Sequence, residues 1–384
     1  MKIAGDWLSA GHVQKVLAML AGGGYQALLV GGCVRNAALF QPVADIDIAT
    51  DAPPERVIEL AKAAGLKPVP TGIDHGTVTV VADHVGHEVT TFRRDVETFG
   101  RHATVAFSTD IHDDAARRDF TMNALYATAD GTVLDPLGEG LADLAARRLR
   151  FVGDPAQRIT EDYLRILRFF RFTAWYGDPE QGMDAEGLAA CAAFSAGIET
   201  LSRERIGHEM RKLLAAPDPA PAVCAMQASG VLMQVLPGAE AQFLAPLVHL
   251  DGDLPPDPIR RLAVLGGADV ASQLRLSKAE ARRLERLRDA LADPGSDAEL
   301  GYRYGAEIAR DALLIRGASL GQDIPELSLN RVAFGAAQRF PVTASDLMAT
   351  YQGPALGAKL KELEARWIAS GFSLSREALL AEDG

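Results

Sequence analysis

The apolar pattern changes period once along the chain, near residue 150, and that change dictates a composite fold. Before it, strand-like and helix-like segments alternate. QALLVGG reads as a buried strand, VRNAALF as a short helix, ADIDIAT as a strand, PPERVIELAKAAG as a helix, and GTVTVVA and HEVTTFR as two further strands. From Thr160 onward nearly every apolar pattern has helical spacing, interrupted at YGDPEQG, APDPAPA, DGDLPPDP and ADPGS. The order predicts an α+β protein, with a compact domain of strands and helices followed by an all-α remainder. No internal repeat or low-complexity tract stands out.

A chain of 384 residues is long enough for two or three domains with cores of their own. Its start, MKIAGDWLSA, has no basic segment leading into an apolar one, and no stretch reaches the roughly 18 apolar residues of a membrane helix, so the expectation is a cytoplasmic protein without a membrane partner. Cys33, Cys191 and Cys224 are odd in number and dispersed, which fits neither a disulfide framework nor a zinc site and predicts small core residues. A net charge of -12 argues against indiscriminate coating of nucleic acid, though not against a local basic groove.

The chemistry-bearing residues begin with Asp45 and Asp47. On a strand, side chains two residues apart share a face, so these carboxylates project together while Ile46 and Ile48 point to the core. Two adjacent like charges need a counter-charge, and hard oxygen ligands favour magnesium. A calcium loop counted from Asp45 fails, because its sixth position is Thr50 where glycine is required. The bland alternative is a polar strand end. Glu88 becomes a third carboxylate of the same cluster if HEVTTFR pairs beside ADIDIAT; otherwise it is an exposed strand residue.

In LLVGGCVRN a strand breaks into Gly31 and Gly32, followed by Arg35. The pattern matches neither GxGxxG nor GxxxxGK[ST]. A strand, a glycine turn and a helix N-terminus nonetheless form a phosphate site by converging amide N–H groups and a favourable dipole, with Arg35 adding a charge-assisted contact. RRDFTMNAL places Arg118 and Asp119 ahead of an apolar helical start; Arg118 suits a phosphate and Asp119 a ribose hydroxyl, unless Asp119 is simply a helix cap.

The segment RRLRFVGDPAQRITEDYLRILRFFRF carries Arg147, Arg148, Arg150, Arg158, Arg165, Arg168 and Arg171 against Asp154, Glu161 and Asp162, which predicts a local basic groove. Thr160 reads as the N-cap of its helix, with Ile166, Phe169, Phe170 and Thr173 as the buried stripe. A Glu161–Arg165 pair at i,i+4 is the structural reading, and three arginines exceed what that pair requires. Further on, Ser277 and Glu280 have capping-box spacing, and the basic residues of the helix they open, Lys278, Arg282, Arg283, Arg286 and Arg288, read as a solvated face or an RNA contact.

Taken in order and spacing, GGCVRN, DID, HEVTTFR, RRDFTMNAL and TEDYLRILRFFRF resemble the class II nucleotidyltransferases, the tRNA CCA-adding enzymes and bacterial poly(A) polymerases. The likeness runs from about Leu28 to Phe172, and SRERIGHEM resembles a further motif. It implies a polymerase β-like mixed-sheet head over 1–150, a helical neck over 151–215 that selects the nucleotide, and a helical body and tail over 216–384 that binds tRNA. Asp45 and Asp47 would hold two magnesium ions, one favouring the alkoxide of the RNA 3′-hydroxyl and one gripping the triphosphate, with Glu88 supporting them. Gly31, Gly32, Arg35, Arg118, Asp119, Asn123, Arg168 and Arg171 would bind nucleotide and triphosphate.

The same resemblance assigns base choice to Asp162 and Arg165. Cytosine and adenine both offer an exocyclic amino donor beside a ring-nitrogen acceptor, which a carboxylate and a guanidinium can meet. Uracil and guanine reverse that pattern, at about 1 to 3 kcal/mol per mismatch. The family usually has aspartate where Asn36 stands. FRRDVETFGRHATVAF resembles the flexible loop that CCA-adding members use in switching from C to A, and TGIDHGTVTVV their version of that region. The expectation is therefore CCA addition from CTP and ATP to tRNA, with no DNA partner; poly(A) synthesis and a non-catalytic RNA-binding relative are the alternatives.

Overall fold

Leu28–Val30 (β1) buries all three of its side chains, as a strand covered on both faces must. It is a central strand in the computed structural model of the protein, which describes residues 1–99 and 102–381, with side chains throughout except over 95–105. The other strands are Asp47–Thr50 (β2), Lys67–Gly72 (β3), Thr77–Ala82 (β4), Val85–Thr91 (β5), Arg93–Phe99 (β6), His102–Phe107 (β7), Tyr126–Ala127 (β8) and Val133–Leu134 (β9). Seven of them form one mixed sheet in the order β3-β4-β5-β2-β1-β8-β9, in which only β2 and β5 run parallel. β6 and β7 pair separately as an antiparallel ribbon, so the loop-like segment noted above carries a strand pair; residues 100 and 101 between them lie outside the described residues.

Local sequence explains the layers. β4 alternates, burying Val78, Val80 and Ala82, and the helix Gly11–Gly22 that packs on β4 and β5 buries Val13, Val16, Leu17 and Leu20 at helical spacing. Helix Pro54–Ala63 joins it against β3, β4 and β5. The chain forms two compact units, Met1–Val235 and Leu236–Gly384. In the first, the sheet is followed by helices Pro155–Glu161, Leu164–Tyr176, Ala185–Ala193, Arg203–Leu214, Ala220–Ala228 and Val231–Val235.

Several expectations are corrected here. Thr160 is not an N-cap: Asp154 caps a helix that starts at Pro155, and the Thr160 hydroxyl bonds back to the Ala156 and Gln157 carbonyls inside it. The break falls instead at Asp162, whose extended backbone separates that helix from the next. Thr173 is only half-buried, whereas Leu167 and Phe172 join Ile166, Phe169 and Phe170 in the stripe. No long helix follows RRDFTMNAL; a single 3-10 turn, Thr121–Asn123, leads into β8 because Tyr126 and Ala127 pair with β1. Cys33 and Cys191 are buried as predicted, but Cys224 is exposed.

The second unit is helical around Ala306–Leu320, which packs on helices Leu244–Asp251, Pro258–Leu265, Lys278–Ala292, Asp297–Tyr304 and Glu326–Ala337. The helices Asp297–Tyr304 and Glu326–Ala337 approach so closely that a Cβ at Gly335 would collide with the Ala298 backbone. The Ser277–Glu280 capping box is present. Arg283 is not on a solvated face: it pairs with Asp257 (2.6 Å), Glu307 (2.9 Å) and Asp311 (2.9 Å). Those three acids cluster closely enough to suit a cation, and the guanidinium already supplies the charge. Among the described residues no helix is long and apolar enough to cross a membrane.

Candidate active site

The parallel pairing of β2 with β5 sets Glu88 directly opposite Asp47. Asp45 precedes β2 rather than lying within it, and Ile46 is half-buried, so only Ile48 is the core residue predicted. The three carboxylates nevertheless line one open cleft of about 610 Å³ with His12 and His87. Asp47 titrates above its ordinary value, first because of burial and then because of Glu88 and Asp45, with Arg118 opposing. Such a cluster of hard oxygens, already repelling one another, fits a divalent cation.

His87 closes one wall of this cleft. Its ring is buried, stacks on His12 with centroids 5.0 Å apart, and shares a 2.9 Å Nε2···Nδ1 hydrogen bond with it. Burial and His12 lower its pKa.

Beside the carboxylates, Gly31 adopts φ 70°, open to glycine at little cost, and hands the chain into helix Gly32–Ala38. A Cβ on Gly31 would sit 3.3 Å from Arg118 Nη1. The Arg118 guanidinium therefore crosses directly over the glycine turn, where it is held by Asp114 (3.0 Å) and the Tyr126 hydroxyl (3.1 Å). Burial opposes its charge, but Tyr126 and Asp114 more than compensate and raise its pKa.

Arg35, read above as a charge-assisted phosphate contact, already has several side-chain partners. It is buried, bonded to Asn123 Oδ1, Asn36 Oδ1 (2.8 Å) and the Tyr176 hydroxyl (2.9 Å), and stacked over the Tyr176 ring at 4.1 Å. Asn36, where the family usually has aspartate, accepts from Arg35 and donates to the Pro42 carbonyl (2.9 Å), so its amide bridges helix and loop. Asp119 is also committed: Oδ1 accepts from Phe120 N (2.9 Å) and Asn123 Nδ2 (3.0 Å), and Oδ2 from Arg168 Nε (2.6 Å). Gly31, Gly32, Arg35, Arg118, Asp119, Asn123 and Arg168 thus form one connected neighbourhood.

Most of the arginine row is paired, partly within its own segment and partly with acids from elsewhere. Arg165 pairs with Glu161 (2.6 Å) as expected, and it also donates to the Arg158 and Arg117 carbonyls. Arg168 pairs with Asp119 and Arg171 with Glu209 (2.7 Å), while Arg148 and Arg150 share Asp143. Much of the predicted basic groove's charge is accordingly compensated, by Glu161 within the segment and by Asp119, Asp143 and Glu209 from outside it.

Asp162 and Arg165 flank the start of helix Leu164–Tyr176 and have separate side-chain partners: Asp162 Oδ1 accepts from Leu164 N (3.1 Å) and Oδ2 pairs with Arg205 (2.7 Å). Arg205 and Glu209 come from SRERIGHEM, which thereby contacts both the start and the middle of the neighbouring helix. Sequence reasoning missed Asp114, Tyr126, Tyr176, His12 and His87 as parts of this neighbourhood, since nothing local marks them.

A mixed sheet bearing this carboxylate cleft and running on into helices is the architecture of the class II nucleotidyltransferases. The Poly A polymerase head domain family matches residues 27–150, and the family described as the probable RNA and SrmB-binding site of polymerase A matches 183–243. The mitochondrial CCA tRNA nucleotidyltransferase 1 of Mus musculus is 32% identical over 380 residues, covering 93% of this chain and 86% of that protein. The CCA-adding enzyme of Limosilactobacillus fermentum is 41% identical over 201 residues, covering 52% of this chain and 48% of that protein. The structure superposes on the Bacillus stearothermophilus CCA-adding enzyme in complex with CTP with a TM-score of 0.73 at 26% identity, across 94% of each chain. The chain belongs to the CCA-adding enzyme family.

Proposed function

We infer that the chain adds C, C and A to the 3′ end of tRNA from CTP and ATP, without a nucleic-acid template. The observation that carries the site reading is the β2–β5 register, which brings Glu88 beside Asp47 and Asp45 in one cleft. The family implies a divalent metal, and the hard-oxygen donor set of Asp45 and Asp47 suits magnesium. When bound, that metal supplies charge neutralisation for the attacking 3′-hydroxyl and the triphosphate. Glu88 keeps the cluster acidic from the neighbouring strand.

The protein's own share is positioning and electrostatics. Gly31, lacking a side chain, lets the Arg118 guanidinium lie close over the turn, where it offers a phosphate a fixed positive charge. Arg35, Asn123, Asp119 and Arg168 are already bonded to one another, which supports a role in shaping the pocket wall for nucleotide and sugar; Arg171 extends it toward Glu209. Asp162 and Arg165 are each tethered in place, by Arg205 and by Glu161, so they would meet a base with little rotamer entropy left to lose. The acceptor carboxylate and donor guanidinium match cytosine and adenine and clash with uracil and guanine.

The division into a head over 1–150, a neck over 151–215 and a tRNA-binding body and tail over 216–384 belongs to the same proposal, and the head-domain match ending at residue 150 supports its first boundary. A cytoplasmic site of action is part of it too. The test is incubation of purified protein with magnesium, a tRNA transcript ending at the discriminator base, and each NTP singly and together. Incorporation of C alone from CTP, and completion with one A once ATP is added, is the expected result. Long A tails on unrelated RNA would overturn it in favour of poly(A) synthesis, and binding without incorporation in favour of a non-catalytic relative.

A further inference from the structure

Phe40 is 95% exposed, while no other large apolar side chain among the described residues exceeds 69%. It also has φ 55°, the left-handed region that bulky residues avoid and that glycine adopts freely at the end of a helix. Both features work against stability: the ring stays in water and the backbone is strained. Nor is the conformation a loose excursion. Leu39 N–H bonds the Arg35 carbonyl (3.0 Å), Phe40 N–H the Ala37 carbonyl (3.2 Å) and Gln41 N–H the Asn36 carbonyl (2.8 Å), and the Asn36 side chain holds the Pro42 carbonyl just beyond. The ring is thus presented to solvent from a pinned turn. Strained positions of this kind cluster at functional sites, and here strain coincides with an aromatic ring left in water.

The turn also has an address. It follows the helix that carries Arg35 and leads within five residues to Asp45, at most about 18 Å of extended chain away. An RNA whose 3′-hydroxyl enters the carboxylate cleft brings unpaired bases into the space around Asp45, within that reach of Phe40, and an aromatic face accepts any base by stacking without reading its identity. We propose that Phe40 is a stacking platform for an unpaired base near the 3′ end of the acceptor RNA. The proposal rests on the activity inferred above and adds a contact on the acceptor side, separate from the nucleotide pocket.

The experiment titrates a tRNA transcript lacking CCA, without NTPs, against wild type, Phe40→Ala, Phe40→Gly and Phe40→Tyr, and measures KM for CTP and the melting temperature of each. Phe40→Ala and Phe40→Gly should raise the Kd for RNA about 5- to 150-fold, the loss of one stacked base, while Phe40→Tyr should stay within about 3-fold. KM for CTP should hold. Phe40→Gly should melt higher than wild type, because glycine relieves the left-handed strain, so weaker binding cannot be ascribed to a damaged fold. RNA affinity of Phe40→Ala and Phe40→Gly equal to wild type, or a Phe40→Tyr loss as large as that of Phe40→Ala, would overturn the contact. A wild-type protein that adds no CTP or ATP would instead refute the activity itself.

Discussion

Asp114→Asn tests the electrostatic scaffold of the site most directly, because Asp114 is the buried anion from which Arg118 is hung. Its carboxylate is 1% exposed and receives Arg117 (2.7 Å), Arg118 (3.0 Å) and the Tyr126 hydroxyl (2.7 Å). Burial alone would push its pKa up. Arg118, Arg117 and Tyr126 outweigh burial and hold it at about 2, against an ordinary 3.8. At about 1.4 kcal/mol per tenfold change, that depression corresponds to about 2 kcal/mol of stability.

The sign follows from the direction. A depressed carboxylate contributes fully above its unfolded pKa and loses that contribution as pH falls through its folded one, so the window runs from about pH 4 to 2. Asparagine keeps the shape and one acceptor but no charge. Urea unfolding at pH 7 should therefore show Asp114→Asn less stable by about 2 to 3 kcal/mol, below the 3–5 kcal/mol range for fully buried pairs because both arginines retain some solvent. At pH 3 the gap should shrink by about 1 kcal/mol, since only the wild type has an anion to lose. A variant within 0.5 kcal/mol of wild type at pH 7, or a gap that widens on acidification, would refute the scheme at roughly the precision of such measurements.

Asp45→Ala, like chelation of divalent metal, should nearly abolish nucleotide transfer while leaving the unfolding midpoint close to wild type; retained turnover would show that the cleft is not the reacting centre. Asp162→Ala should leave some transfer and narrow the preference for CTP and ATP over UTP and GTP by about 1 to 3 kcal/mol, read from kcat/KM ratios. In the second unit, Asp311→Ala removes the acid shared by Arg260 (3.1 Å), Arg283 (2.9 Å) and Arg310 (3.0 Å); it should cost about 1 to 3 kcal/mol by urea unfolding, below the range for a fully orphaned charge because Arg260 keeps Asp251 and Arg283 keeps Asp257 and Glu307.

Local residue chemistry by itself determined the strand and helix alternation before residue 150 and the helical run after it, since period-2 and period-3.6 burial leave their mark wherever one face meets a core. It also determined which residues are able to hold a cation or a phosphate: Asp45 and Asp47 two residues apart, and adjacent glycines after a buried strand. The end of a helix was harder to read. Thr160 looked like a cap, yet Asp154 and Pro155 start the helix sooner and Asp162 breaks it.

What only the tertiary structure decided is which distant residues meet. The parallel register of β2 and β5 delivers Glu88 to Asp47, and the acids that occupy Arg168 and Arg171 arrive from Asp119 and from Glu209 on another helix. A charge in sequence carries no information about its partner across the fold. Whether an arginine lies over a glycine turn, as Arg118 does, or is bonded among buried side chains, as Arg35 is, depends on packing that brings separate segments within a few ångströms.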